Sequence, residues 1–268
     1  MIKLHIQFLL IITFLTTNIY SQRVNYKVTA DDPDIISERY INVDLVPLSM
    51  NFDITEFSVA LGASGFWKLT DQIKAEGLFN VNVLNLNGSG GVNTELGVFY
   101  SLKKTYIKED LDILLKSRLV SGGRVENTLL NVKGTYRNEY GARGGLYQKS
   151  AGFLIEDGDI ESNYSLFGTY IGFQKIKQVF VEIETDGRKY SNSGRTRYYI
   201  DLLLVGGRVS DNAYTEDISS IGYRGGFEWM LRPQKEGWFK QVFGVEIGKK
   251  PVTGWYMTMN YKITVFKE

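Results

Sequence analysis

Histidine and cysteine carry most of the proton-transfer, thiol and zinc chemistry that proteins perform near neutral pH. This sequence has almost none of either: cysteine is absent and the single histidine is His5. Residues 1–21 read as a secretory signal. Lys3 supplies the positive start, Ile6 to Leu15 the apolar run, and Thr16, Thr17, Asn18 and Ser21 the small and polar stretch before a cut between Ser21 and Gln22. The run is too short to cross a bilayer as a helix, which takes about 20 apolar residues. No cysteine follows it, so a lipoprotein anchor is excluded. Cleavage would remove His5, leaving 22–268 with no thiol, no Cys/His zinc site and no histidine base. No catalytic residue, cofactor or metal site is expected, and the chain does not read as an enzyme.

The charged residues that remain have a spacing of their own. Lys74, Glu76, Glu95, Lys133, Arg137, Arg224, Glu228, Lys240, Glu246 and Lys262 fall on the polar faces of segments whose other face is apolar. If those faces turn inward, charges of both signs would line a lumen. Such a lining suits a hydrated, weakly selective passage for small solutes. It equally suits an interior closed by ion pairs, and both readings stay open. Asp157, Asp159 and Glu161 have the oxygen chemistry of a calcium site, against the plainer reading of a solvated acidic turn. Gly144-Gly145, Gly206-Gly207 and Gly225-Gly226 lack the following Lys and Ser or Thr of a phosphate loop. They suit places where strands bend or pack closely.

The elements that would position these residues are strands. From Gly254 to Phe266, Trp255, Met257, Met259, Tyr261, Ile263 and Val265 take one face, and Thr258, Asn260, Lys262 and Thr264 the other. That is longer than the usual strand of about 5–6 residues and close to the 9–11 that a tilted strand needs to cross a bilayer. The same alternation runs through 57–67, 74–83, 92–102, 130–137, 220–231 and 239–247. A slip of one residue would invert each face, so register is well specified. Segments 164–173 and 179–183 read as strands, with a hairpin turn near Lys175. Segment 198–205 is apolar on both faces except Asp201. Helical spacing competes only over 107–120. Ile41 to Leu45 suits a first strand, ending before Pro47, and 31–36 a turn leading into it. The largest polar loops are expected at 186–196 and 208–218. Glycine 28 against proline 4, with 17 Tyr, 15 Phe and 4 Trp, favours many strands joined by tight turns.

The pattern predicts an all-β fold: one antiparallel up-and-down transmembrane β-barrel over 22–268, with about 12 strands, 10 or 14 also fitting. Tyr100, Tyr136, Trp229, Trp238, Trp255 and Tyr261 lie near strand ends, where aromatics would meet the two membrane interfaces. The expected setting is the outer membrane after export, with its lipid as the partner and small solutes as candidates for the lumen. The sequence identifies no protein partner. Less Lys3, the 31 Lys and Arg equal the 30 Asp and Glu. With no clustered basic stripe, nucleic acid is excluded as a partner.

The signal, the two-faced strands and the aromatic final strand resemble outer-membrane β-barrel proteins, and the Ser21-Gln22 junction is similar to that of Bacteroidota secretory proteins. The resemblance covers nearly all of 22–268 and carries no function-specific motif. Enzymes of that architecture, such as lipid A-modifying enzymes, phospholipases and omptin-like proteases, rely on a histidine near the membrane, which 22–268 lacks. Phe266 stands third from the end, where the family usually ends on an aromatic. The rival from another class is a soluble periplasmic or secreted β-protein that binds an apolar ligand. It requires the opposite arrangement, with apolar faces inside and polar faces toward water.

Overall fold

The computed structural model describes residues 24–44, 50–53, 57–85, 91–120, 123–154, 161–210, 215–231, 240–250 and 254–267. The signal segment 1–21, Pro47, Trp238 and the side chains of Asp157, Asp159 and Glu161 lie outside the described residues. The strands are β1 (Lys27–Asp31), β2 (Arg39–Asp44), β3 (Met50–Asp53), β4 (Phe57–Lys68), β5 (Ile73–Asn85) and β6 (Val92–Val120). They continue with β7 (Arg124–Leu154), β8 (Glu161–Thr185), β9 (Arg188–Ser210), β10 (Thr215–Leu231), β11 (Lys240–Lys250) and β12 (Gly254–Lys267). Each of β4 to β12 pairs antiparallel with its sequence neighbours. β2 and β3 share one position in the wall, both lying between β12 and β4, and this closes the sheet into an up-and-down barrel of 10 strands. Closure leaves no free edge around the ring.

Several sequence expectations change here. Over 107–120, where helical spacing competes, the chain is strand: it continues β6, paired with β7 as far as Val120↔Arg124 with one register shift between Leu114 and Lys116. No turn occurs at Lys175, because β8 runs unbroken from Glu161 to Thr185. The expected loop 186–196 is a two-residue turn followed by strand. Asp186 and Gly187 both have positive φ, at 51° and 68°, the conformation of a type I′ turn, whose twist matches paired strands. The expected loop 208–218 is likewise mostly strand, since β9 extends to Ser210 and β10 begins at Thr215. In the last two cases polar residues were read as loop, although they belong to paired hairpin strands.

The β6–β7 and β8–β9 hairpins form a head on the end of the barrel that carries both termini, whereas the β9–β10 hairpin lies at the other end. β7 stays paired with β8 only as far as Tyr136↔Val179. Beyond that point the β6–β7 ribbon parts from β8 and packs against the β8–β9 hairpin. A separate small core fills the space between them: Ile113, Val132, Val179, Val181 and Ile183, flanked by Leu111, Leu115, Leu130, Tyr136 and Tyr190. β1 occupies the opened seam, pairing with Val181–Glu184 of β8. Asp31 closes its other side by accepting from the Thr135 amide at 2.7 Å and hydroxyl at 2.8 Å.

Large side chains reach the barrel interior because glycines on other strands make room. A Cβ on Gly97 would collide with the Tyr170 hydroxyl, and one on Gly226 with the Tyr199 ring. Gly97→Leu should therefore destabilise the barrel by about 1–3 kcal/mol through overpacking. Gly194→Ala, where an added Cβ meets nothing within 4 Å, should change stability by less than about 0.5 kcal/mol. Urea midpoints of the two variants, read by the shift between folded and unfolded gel mobility, test this pair.

Candidate functional site: the lumen and its strapped mouth

Alternation puts one side chain in two inside the barrel, and the inside is ionic. Arg224 on β10 reaches across to β6, donating from both Nη atoms to the two Glu95 carboxylate oxygens at 2.6 and 2.7 Å, and from Nε to Asp201 on β9 at 2.8 Å. Arg143 on β7 pairs with Glu76 at 3.2 Å and Asp201 at 3.6 Å. Arg197 on β9 pairs with Glu228 at 2.7 Å and Glu76 at 3.5 Å. Lys262 lies 3.8 Å from Glu228 and donates to the Ser64 hydroxyl at 3.1 Å. Glu246 accepts from the hydroxyls of Tyr199 and Tyr256. The Arg143 guanidinium lies 4.3 Å from the Tyr199 ring centre and 5.0 Å from that of Tyr170. Shared partners let each buried charge face more than one countercharge or dipole, the condition under which buried ion pairs are tolerated.

Apolar and aromatic clusters bracket this network. Toward the far end lie Tyr147, Tyr164, Leu166, Tyr170, Leu203 and Val205. Toward the terminus-side mouth lie Tyr40, Phe66, Phe99, Ile176, Met230 and Val242. Arg195 stacks over Phe66 at 4.4 Å and Tyr40 at 4.9 Å within that second layer. The far cluster comes from β7, β8 and β9 only, and beside it runs a cavity of about 90 Å³, lined by Glu76, Glu95, Arg143, Tyr199, Arg224 and Lys262 and reaching Asn82 and Val92 near the far rim.

A short segment crosses the mouth. In the ring, β8 and β2 stand opposite each other, separated by β7, β6, β5 and β4 on one side and by β9, β10, β11 and β12 on the other. The chain leaves β1 beside β8 and enters β2, so residues 32–38 must span the opening. Asp32 caps a 3-10 turn at Pro33–Ile35, its Oδ1 accepting from the Asp34 amide at 2.8 Å. Ile36 is 1% exposed beneath the strap. Gln178 donates to the Pro33 carbonyl at 2.8 Å, and Tyr106 to the Asp34 carboxylate at 2.9 Å. Glu38 is the anchor, accepting from Lys74 at 2.8 Å and from Arg137. Both cations also bond Glu139, whose side chain is fully buried.

The expected lumen residues therefore separate into groups. Glu76, Glu95, Arg224, Glu228, Glu246 and Lys262 meet in the central network, and Lys74 and Arg137 meet under the strap. Lys240 is buried on β11, apart from the pairs just described. Lys133 is not in the lumen: it is exposed on the β6–β7 ribbon opposite Asp110, beyond the point where the ribbon leaves the wall. Of the expected interface aromatics, Tyr100, Trp229 and Trp255 are exposed on the outer wall, and Trp255 meets Tyr223 edge-on at 5.6 Å. Tyr261 is half-buried on β12, while Tyr136 packs against the core of the head and under Lys177.

Sequence reading missed Arg143, Arg197, Glu139 and Glu38. Extending the alternation would have found the first three: Arg137 and Glu139 are two apart, as are Arg195 and Arg197. Asp201 stood out only as a break in an apolar run, which is how an inward charge looks from the sequence. Glu38 carried no periodic signal, because it belongs to the strap. No protein-family model and no curated protein matches this chain.

Burial alone would raise the Glu38 carboxyl, but the charges of Lys74, Arg137 and Arg195 outweigh it and hold the group down at about 2, against an ordinary 4.5. The ionised carboxylate is the form that fastens the strap. Its contribution, on the order of 3 kcal/mol, is complete above about pH 4.5 and disappears as pH falls through about 2. Hydrogen exchange at the amides of residues 34–38 should accelerate across that interval. Glu38→Gln should abolish this dependence and cost about 3 kcal/mol or more, because Lys74 and Arg137 stay buried with one anion fewer. An unchanged pH profile in that variant would exclude Glu38 as the fastening group.

Proposed function

We propose that this protein is an outer-membrane β-barrel with a closed lumen, acting as a lipid-embedded structural or contact protein rather than as an open channel. One observation carries the reading: the side-chain distribution is inverted relative to a protein dissolved in water. Leu96, Phe173, Ile200 and Ile221 are 62–67% exposed on the outside. Arg224, Asp201, Glu95 and Lys262 are buried inside. Outward apolar positions run from Val92 to Leu102 on β6 and from Trp255 to Val265 on β12, matching the 9–11 residues of a strand that crosses a bilayer. An outer belt of this extent is an expensive surface in water. It also runs against the soluble alternative, which needs its apolar faces inside.

Three features support closure. The lumen charges pair with one another, an apolar and aromatic layer contributed from around the ring fills the terminus-side space, and the strap covers that mouth. A hydrated passage for solutes would instead leave charged side chains facing free water. The reading assigns no catalysis to the paired residues, since each charge is engaged by a neighbour.

Outward substitutions separate lipid from water as the solvent of the outer wall. Ile171→Arg and Ile200→Arg, both at exposed positions, should cost about 2–4 kcal/mol each for a barrel folded into lipid vesicles. In a protein surrounded by water the same changes stay within about 0.5 kcal/mol. Urea titration of vesicle-folded protein distinguishes the two outcomes. In planar bilayers the wild-type protein should insert without steady stepwise conductance; regular conductance steps would overturn the closed lumen.

A further inference from the structure

On the terminus-side half of the barrel, Lys74 and Arg137 hold the strap from inside, and on the outside Lys177 pairs with Glu109 at 2.5 Å. Two other lysines are different. Lys103 on β6 and Lys175 on β8 stand directly opposite Tyr140 of β7 from either side, in one cross-barrel row that continues through Tyr198 to Phe227. All five side chains point outward. Lys175 Nζ lies 5.2 Å from the Tyr140 ring centre, and Tyr198 contacts Phe227 with ring centres 5.2 Å apart. Among the described residues, no carboxylate pairs with Lys103 or Lys175.

The position of the row is as informative as its composition. On the belt side its neighbours are Leu102, Phe173 and Ile200, all strongly exposed and apolar. On the other side the polar head begins, with Lys177 and Glu109. The two lysines thus stand at the border between an apolar surface and water. Their backbones are two strand spacings apart, roughly 10 Å. Two flexible lysine side chains can converge over the Tyr140 ring from that distance and donate to the oxygens of one phosphate group.

We propose that Lys103, Tyr140 and Lys175 form a binding site for the phosphate of an anionic lipid headgroup at the terminus-side edge of the apolar belt. The proposal rests on the membrane reading above. A lipid is favoured over a free anion because Leu102, Phe173 and Tyr198 continue directly from the two lysines and give an acyl chain an apolar wall to lie on. An ammonium at such a border has both an anion to pair with and a stem that packs on apolar surface.

Native mass spectrometry of protein released from nanodiscs that mix phosphatidylglycerol with phosphatidylcholine tests the site. Wild type should retain a phosphatidylglycerol molecule in preference to phosphatidylcholine. Lys103→Gln combined with Lys175→Gln should weaken that retention roughly thirtyfold. The Lys103→Arg, Lys175→Arg pair should preserve it. Equal retention by the glutamine pair overturns the proposal. Inorganic phosphate that binds wild type with the same lysine dependence, without any preference for phosphatidylglycerol, assigns the site to free anions and overturns it as well. Loss of the site and loss of the membrane reading are separable: a detergent-dependent, heat-modifiable barrel with no lipid preference ends only the former, whereas a wild-type chain soluble without detergent ends the latter.

Discussion

Arg224 bound across the lumen to Glu95 is the contact on which the closed barrel depends. A guanidinium offers five donors in a fixed fork, and here three of its nitrogens are engaged by two carboxylates from different strands. β10 and β6 are not neighbours in the wall, so this bond ties opposite parts of the ring together through the interior. Asp201 then passes the constraint to Arg143, Arg143 to Glu76, and Glu76 to Arg197. A charge taken out of water costs several kcal/mol unless it is paired and hydrogen-bonded. The interior is therefore stable as a connected set, and removing one member strands its partners.

That ionic interior determines what the outside must be. A sheet closed on itself has two faces, and the inner one is committed to charges and tyrosines. The chain's aliphatic residues then have only the outer wall to occupy, apart from the two lumen clusters and the small core of the head. Glycines enter for the same reason: Tyr170 and Tyr199 fit only because Gly97 and Gly226 present no side chain to them. Tyrosines and arginines are the main filling of the interior. A strap of seven residues, 32–38, suffices to cover the terminus-side mouth.

Much of this architecture was legible in the sequence, because a barrel wall repeats every second residue and the pattern survives in a single chain. Glu76 and Glu95, with Arg224 and Lys262, were placed on the polar face by parity alone. Parity gives a face but not a partner, so the ladder linking Glu76 to both Arg143 and Arg197 needed the structure. It also fails where the wall ends. On the projecting hairpins both faces of a strand meet water or a thin local core, and 186–196 therefore looked like loop. Lys133 has the correct parity for the lumen, yet it sits on the part of β7 that has left the wall. The crossing of 32–38 is a consequence of topology: it follows from β1 and β2 lying on opposite sides of the ring, a long-range fact that no local pattern encodes.

The strap, the head and the lumen are coupled through shared residues. β7 contributes Arg143 to the central network and Arg137 and Glu139 to the anchor of the strap, and its continuation forms half of the head. β1 lies in the seam that opens where the head departs, held by Asp31 to Thr135. Withdrawing the strap would therefore break the β1 pairing and at the same time leave Lys74 and Arg137 facing Glu139 alone. Two cations sharing one buried carboxylate is an unfavourable state, and water entering the mouth would have to compensate it. The asymmetry supports the proposed closed lumen: the shut arrangement satisfies the anchor charges with groups already in the chain, whereas an open arrangement has to recruit solvent. A ligand or partner could shift this balance only by binding the open form more tightly than the closed one, and the shortest route to such a difference is to supply a replacement for the Glu38 carboxylate.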